Sequence, residues 1–145
     1  MNTPKVLIAD ADEVYRRKLR DFITEKKDFE VIDVGSGEAA VNVAVQKLPS
    51  VVLLEIVLPD ISGVEVCRKL KSDEKLKSIP LIIHTAKTEL NDRLSAFVVG
   101  AHKYLPKPCK LSKLDYIYDS LLDALQLYDN QRPSIATEIN RMRLS

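Results

Sequence analysis

A doubly wound parallel sheet of five strands, in the order 2-1-3-4-5 with helices on both faces, is the architecture this chain spells out. Three observations lead there. Short apolar runs alternate with stretches whose apolar residues recur every three or four positions, so strand follows helix five times. Two runs, Val51-Val52-Leu53-Leu54 and Leu81-Ile82-Ile83, are apolar throughout, as central strands buried on both faces are. Helices of this length between strands imply right-handed crossovers, and those cover both faces of one sheet. Five such units close most naturally in the order given.

The elements follow in chain order. Residues 5–9 form an apolar run ending at Asp10, and Tyr15, Leu19, Phe22 and Ile23 then recur at helical spacing to about Lys26. Residues 29–34 carry β-branched side chains up to Gly35-Ser36-Gly37, after which Ala39, Ala40, Val43, Ala44 and Leu48 mark a helix capped by Ser36. Residues 51–55 form the third strand, before a helix over about 62–72. Residues 80–84 precede a helix over about 89–99, which Gly100 terminates. A short fifth strand spans 102–105. Leu111, Leu114, Ile117, Leu121, Leu122 and Leu125 then stripe a last helix starting near Ser112.

Around Asn130 the pattern weakens at Gln131-Arg132-Pro133-Ser134, so residues 1–128 are expected to form the domain and 129–145 a linker or tail. Ile139 and Met142 make that tail weakly amphipathic, which leaves a partner-binding helix as the alternative.

Composition excludes several function classes. Twenty-two Lys and Arg oppose 21 Asp and Glu, so no global field draws the molecule toward nucleic acid or an anionic membrane. No apolar stretch reaches the ~20 residues a bilayer span needs, and the first residues lack a signal-peptide core, so a cytoplasmic protein is expected. Cys67 and Cys109 are too few and too distant for a disulfide framework or zinc site. Cys67 falls in the apolar pattern of the third helix. Gly35-Ser36-Gly37 holds only two glycines of a dinucleotide fingerprint and follows the second strand instead of the first, so dinucleotide binding is set aside.

Glu55 ends the third strand, and open α/β sheets keep their sites at the carboxyl ends of strands, around the point where strand order reverses. Asp10 after the first strand, Thr85 after the fourth and Lys107 after the fifth converge on the same edge. Residues 49–70, together with Ile83-His84-Thr85-Ala86-Lys87 and Tyr104-Leu105-Pro106-Lys107-Pro108, resemble bacterial response-regulator receiver domains, and the similarity runs over about 5–125. The resemblance implies a flavodoxin-like (CheY-like) three-layer sandwich and membership of two-component, phosphorelay signal transduction.

In that family an acidic pair after the first strand and an acceptor Asp on the third hold a divalent cation, while a hydroxyl and a lysine bind phosphoryl oxygens. Carried over, Glu55 stands at the phosphoacceptor position, Thr85 and Lys107 at the phosphoryl contacts, and Tyr104 at the aromatic that changes rotamer on activation. Aligned on Arg16, the acidic pair falls on Asp10 and Ala11, so one metal-binding carboxylate is missing. Asp12 lies one position on, either as a shifted replacement or as the N-cap of the first helix. Any cation would fall to Asp10, Asp12, Glu55 and Val57. Mg²⁺ demands octahedral oxygens at ~2.0–2.1 Å, and Glu55 is one methylene longer than Asp, so ordinary phosphorylation is not expected and no cofactor is assigned. Instead, Glu55 is expected to pair with Lys107 or accept a hydrogen bond from Thr85, imitating a phosphorylated Asp. Each residue also has a plain structural explanation: a compensated ion pair, a turn former, or β packing for Tyr104.

The expected function is a pseudo-receiver, not an enzyme, acting through protein–protein contacts. Its expected partners are a histidine kinase, an output domain or a second copy of itself. The expected face is made by the fourth helix, fifth strand and fifth helix, with Lys87, Glu89, Asp92, Arg93, Lys103, Lys110, Lys113, Asp115 and Asp119 offering charges of both signs. The rival is a receiver that still accepts phosphoryl groups at an altered Mg²⁺-dependent site, on Glu55 or with Asp12 as replacement ligand. His84 and His102 on neighbouring strands lack a carboxylate or Cys at ligand spacing, which argues against a metal pair.

Overall fold

A computed structural model describes residues 3–87, 89–107 and 114–131. The chain runs β1 (Lys5–Ala9), α1 (Glu13–Lys26), β2 (Glu30–Val34), α2 (Gly37–Lys47), β3 (Val51–Leu54), α3 (Gly63–Lys71), β4 (Leu81–Thr85), α4 (Leu90–Val98), β5 (Lys103–Pro106) and α5 (Leu114–Gln131). All strand pairs are parallel, in the order β2-β1-β3-β4-β5. The strand and helix pattern of the sequence is therefore reproduced, with shifts of one or two residues at several ends. β3 stops at Leu54, which puts Glu55 immediately beyond the strand, and α5 continues through Gln131. The expected start of the last helix near Ser112, Cys109, and the residues after 131 lie outside the described residues.

Alternation along the strands divides the interior into two cores. Leu7, Ala9, Val52, Leu54, Leu81 and Ile83 face α2, α3 and α4, where Ala40, Ala44, Val66, Cys67, Leu70 and Ala96 meet them. Val6, Ile8, Val51, Leu53 and Ile82 face α1 and α5, against Leu19, Ile23, Ile117 and Leu121. By the same alternation His84 belongs on the α1/α5 side. Burial also pushes the Cys67 thiol up to about 12, so this cysteine is an inert core residue.

Helix starts follow their caps. Asp12, Ser36 and Ser62 accept hydrogen bonds from Tyr15 N, Ala39 N and Glu65 N at the starts of α1, α2 and α3. Asp60 adds a second cap to α2 from the β3–α3 loop, taking Gly37 N and Glu38 N at 2.8 Å each. That loop folds back tightly: Gly63 N donates to Ile56 O at 2.8 Å, and a Cβ at Gly63 would collide with the Glu55 carbonyl. Only glycine lets α3 begin this close to the site.

Candidate functional site

Parallel strands deliver Asp10, Glu55, Thr85 and Lys107 to one edge of the sheet, as β1, β3, β4 and β5 end there in register. Asp10 is 4% exposed, Glu55 8% and Thr85 fully buried, so ionised groups here are largely removed from water and need partners.

Lys107 supplies the central one. Its Nζ lies 2.6 Å from Asp10 Oδ2 and 2.8 Å from Glu55 Oε2. Glu55 Oε1, on the other side, accepts Ile56 N at 2.8 Å, Val57 N at 3.2 Å and the Thr85 hydroxyl. Burial works against ionising Glu55, but the Lys107 and Thr85 hydrogen bonds, the lysine's charge and the Val57 amide outweigh it, and the pKa is lowered. Lys107 shows the mirror image: burial disfavours its charge, Asp10 and Glu55 outweigh burial, and the pKa is raised. Two carboxylates and one ammonium leave about one negative charge.

Asp10 is held from behind. Its Oδ1 accepts Asp12 N at 2.9 Å, and its carbonyl accepts Arg16 at 2.6 Å, while Arg16 Nε pairs with Asp33 at 2.7 Å. The Asp12 side chain caps α1 through Tyr15 N at 3.1 Å. Ala11 is exposed and brings no oxygen donor in its side chain. An open cleft of about 420 Å³ lies over these groups, lined also by Ala11, Asp12, Val57, Ala86 and Lys87.

From Thr85 a chain of hydrogen bonds leads to the surface. Thr85 Oγ1 accepts Lys87 N at 3.2 Å, and the Lys87 carbonyl accepts the Tyr104 hydroxyl. Arg93 of α4 lies over the Tyr104 ring, 5.5 Å from its centroid. Glu55 is thus joined, through Thr85 and the Lys87 backbone, to Tyr104 and α4.

Fold and site together point to one family, and the sequence matches the response regulator receiver domain over residues 6–119. The chain belongs to that family. Among curated proteins, this receiver is 36% identical over 103 residues to the phosphate regulon transcriptional regulatory protein PhoB of Pseudomonas aeruginosa, covering 71% of this chain and 44% of that protein. It is 33% identical over 104 residues to the transcriptional regulatory protein SrrA of Staphylococcus aureus, covering 72% and 42%. The chain spans less than half the length of these relatives. Among solved structures, a CheY-like response regulator receiver domain protein from Methanospirillum hungatei superposes with a TM-score of 0.80 at 19% identity, covering 90% of this chain and 99% of that one. A two-component response regulator from Clostridium difficile gives 0.75 at 26% identity, over 85% and 96%.

The structure brings Asp10, Glu55, Thr85 and Lys107 into direct contact and leaves the Asp12 carboxylate at the helix cap. Tyr104 stands on edge strand β5, tied to the site through Lys87. His84 and His102 do not converge: His84 bonds Tyr15 and Leu105, while His102 lies beside Lys71. Asp115 pairs with Lys26 of α1 at 3.5 Å, away from the proposed contact face. Lys110 and Lys113 lie outside the described residues. Sequence reasoning missed the Ile56 and Val57 amides, the Lys87 backbone and Tyr15. Backbone donors leave no trace in residue identity, and Tyr15 sits in a helical stripe that signals packing alone.

Proposed function

We propose that this receiver is a signalling module whose phosphoryl site is permanently set, with Glu55 in the place of a phosphorylated Asp and protein contact as its output. The observation that carries this reading is the grip of Lys107 and Thr85 on the two oxygens of the Glu55 carboxylate. In receivers the lysine and hydroxyl bind phosphoryl oxygens; here both are engaged by a side chain that cannot be removed. The Tyr104 hydroxyl, tied to the same loop, marks the route from the site to the α4–β5–α5 face.

The donor set does not fit the divalent cation that receivers employ. Both Asp10 oxygens and both Glu55 oxygens already accept hydrogen bonds, the Lys107 ammonium lies between the two carboxylates, Ala11 has no ligand, and Asp12 caps α1. Mg²⁺ would have to compete with the Lys107 ammonium for Asp10 Oδ2 and Glu55 Oε2, and like charges drawn to the same two oxygens repel each other. The module accordingly works without a metal and without catalysing a reaction.

The contact face carries Leu94 of α4 and, one helical turn on, Phe97 and Val98, all exposed, with Val98 84% open to solvent. Lys103 and Asp123 pair beside it at 3.6 Å. An apolar strip edged by charges of both signs suits a second copy, an output domain or a histidine kinase in the cytoplasm, and it suits neither nucleic acid nor membrane.

Incubation with Mg²⁺ and acetyl phosphate, followed by intact mass, tests the reading. No gain in mass is expected. A phosphoryl adduct that disappears in Glu55→Gln would establish the rival, a receiver still accepting phosphoryl groups.

A further inference from the structure

His84 is 2% exposed, polar, and unused by the site as described so far. Its Nδ1 is 3.0 Å from the Leu105 carbonyl, and a carbonyl only accepts, so Nδ1 carries the proton. In the neutral ring Nε2 is then an acceptor, and it faces the Tyr15 hydroxyl at 2.5 Å. The two rings lie 5.6 Å apart, tilted by 37°. Tyr15 in turn places its ring under Lys107, with Nζ 4.7 Å from the centroid. The path Leu105–His84–Tyr15–Lys107 leaves β5 and returns to the same segment two residues later. Lys107 is therefore enclosed by two carboxylates on the cleft side and by a π face on the α1 side.

We propose that His84 and Tyr15 form a positioning couple that holds the Lys107 ammonium against Glu55, anchoring the clamp from the α1/α5 side of the sheet. The inference rests on the reading of Lys107 and Glu55 as a permanent clamp. A ring free to turn about its Cα–Cβ bond offers no fixed face, and the hydroxyl bond to a buried, singly oriented imidazole removes that freedom. His84 is also where acid acts. The charged groups facing it are Lys107 beyond β5, Asp10 beyond β1 and Glu55 beyond β3, with Tyr15 contributed by α1. Burial first, and the Lys107 charge with it, keeps His84 neutral below its ordinary 6.5, against the opposing pull of Leu105, Asp10 and Glu55. A protonated ring would point an N–H at the Tyr15 oxygen, reverse that bond and add positive charge beside Lys107.

NMR of the full chain, labelled with ¹⁵N and ¹³C, tests the couple. In the wild type the His84 nitrogens should report the neutral Nδ1–H tautomer at pH 7, and the Lys107 Hε protons should be displaced upfield by the Tyr15 ring. Tyr15→Phe keeps the ring and the packing and removes only the hydroxyl. It should reduce that displacement, as should His84→Leu. His84→Gln, which can donate to Leu105 and accept from Tyr15, should restore it. A Lys107 Hε shift unchanged in both Tyr15→Phe and His84→Leu, with Glu55 still titrating below its usual range, overturns the couple and leaves the clamp standing. A wild-type Glu55 that titrates at its ordinary 4.5 overturns the clamp itself.

Discussion

Thr85 donates a hydrogen bond from its hydroxyl to Glu55, and the same oxygen accepts one from the Lys87 amide, so one buried side chain couples the acidic site to the β4–α4 loop. Thr85→Val keeps the shape and removes both bonds, leaving the Lys87 amide without this acceptor. A lost hydrogen bond to a charged group, with a partner left unpaired, costs about 1–3 kcal/mol. Urea denaturation should show that loss. Tyr104, whose hydroxyl is bonded to the Lys87 carbonyl, should gain ring mobility by NMR, whereas a purely local role for Thr85 leaves Tyr104 unchanged.

Glu55 and Lys107 are shifted in opposite directions, and together they fix a pH window. Glu55 is lowered below 4.5, so its contribution is complete above that value and is lost as pH falls through the lowered folded value. Lys107 is raised above 10.5, so its contribution is complete below that value and is lost as pH rises through the raised one. Between them the clamp should not titrate. His84, held neutral, behaves differently: the unfolded chain takes up a proton near 6.5 and the folded chain does not, so stability declines as pH drops below 6.5. Denaturant midpoints measured from pH 5 to 9 should be flat above about 7 and fall on the acid side. His84→Gln should shrink the part of that fall lying above the carboxylate range, leaving the share of His102, which burial and the Lys71 charge also hold below 6.5.

Removing the shared cation should be far worse than removing one anion. Lys107→Met leaves Asp10 and Glu55 buried and facing the same vacated position, and breaking a buried ion pair costs about 3–5 kcal/mol. Like charges at one site raise the pKa of one of them, so protonation becomes the remedy. The variant should therefore gain stability relative to the wild type as pH falls from 7 toward 5. Urea titrations at both pH values would reveal this, and a variant equally destabilised at each would sink the shared-cation account.

The α4 strip should matter for contact and little for folding. Leu94, Phe97 and Val98 are exposed, and substitutions at such positions usually change stability by no more than about 0.5 kcal/mol. Val98→Glu should leave the denaturation curve nearly unmoved and weaken self-association in sedimentation, if a second copy is the partner. Association unaffected by both Val98→Glu and Leu94→Glu would remove α4 from the interface.

The fold was legible because its strongest signals are local. Val51 to Leu54 and Leu81 to Ile83 are continuous apolar runs, which only doubly covered strands need, and the Ser36 cap stands directly before its helix. Glu55 and Lys107 were also legible, because strand ends in a parallel sheet share one edge whatever the side chains do. The partnership of Tyr15 with His84 was not: 69 residues separate them, and neither neighbourhood hints at the other. Asp60 capping α2 from a loop 23 residues on was hidden for the same reason. Local capping rules see only the residues adjoining a helix, while the chain is free to bring a cap from elsewhere.

If Glu55 and Ala11 are what closes the site, as proposed, replacing both with aspartate should return it to chemistry. Ala11 is exposed beside the cleft, so an aspartate there meets no buried neighbour and adds a carboxylate to the cleft wall. Glu55→Asp withdraws the carboxylate by one methylene, which loosens its hold on Lys107 and Thr85 and frees oxygens for a cation. Either change alone leaves one defect, since a metal ligand without room and room without a ligand both fail the octahedral requirement. The pair Ala11→Asp/Glu55→Asp should take up a phosphoryl group from acetyl phosphate only when Mg²⁺ is present, and EDTA should abolish the gain in mass. The wild type, treated identically, should stay unmodified. Uptake by the wild type equal to that of the double variant would show that neither Glu55 nor Ala11 closes the site.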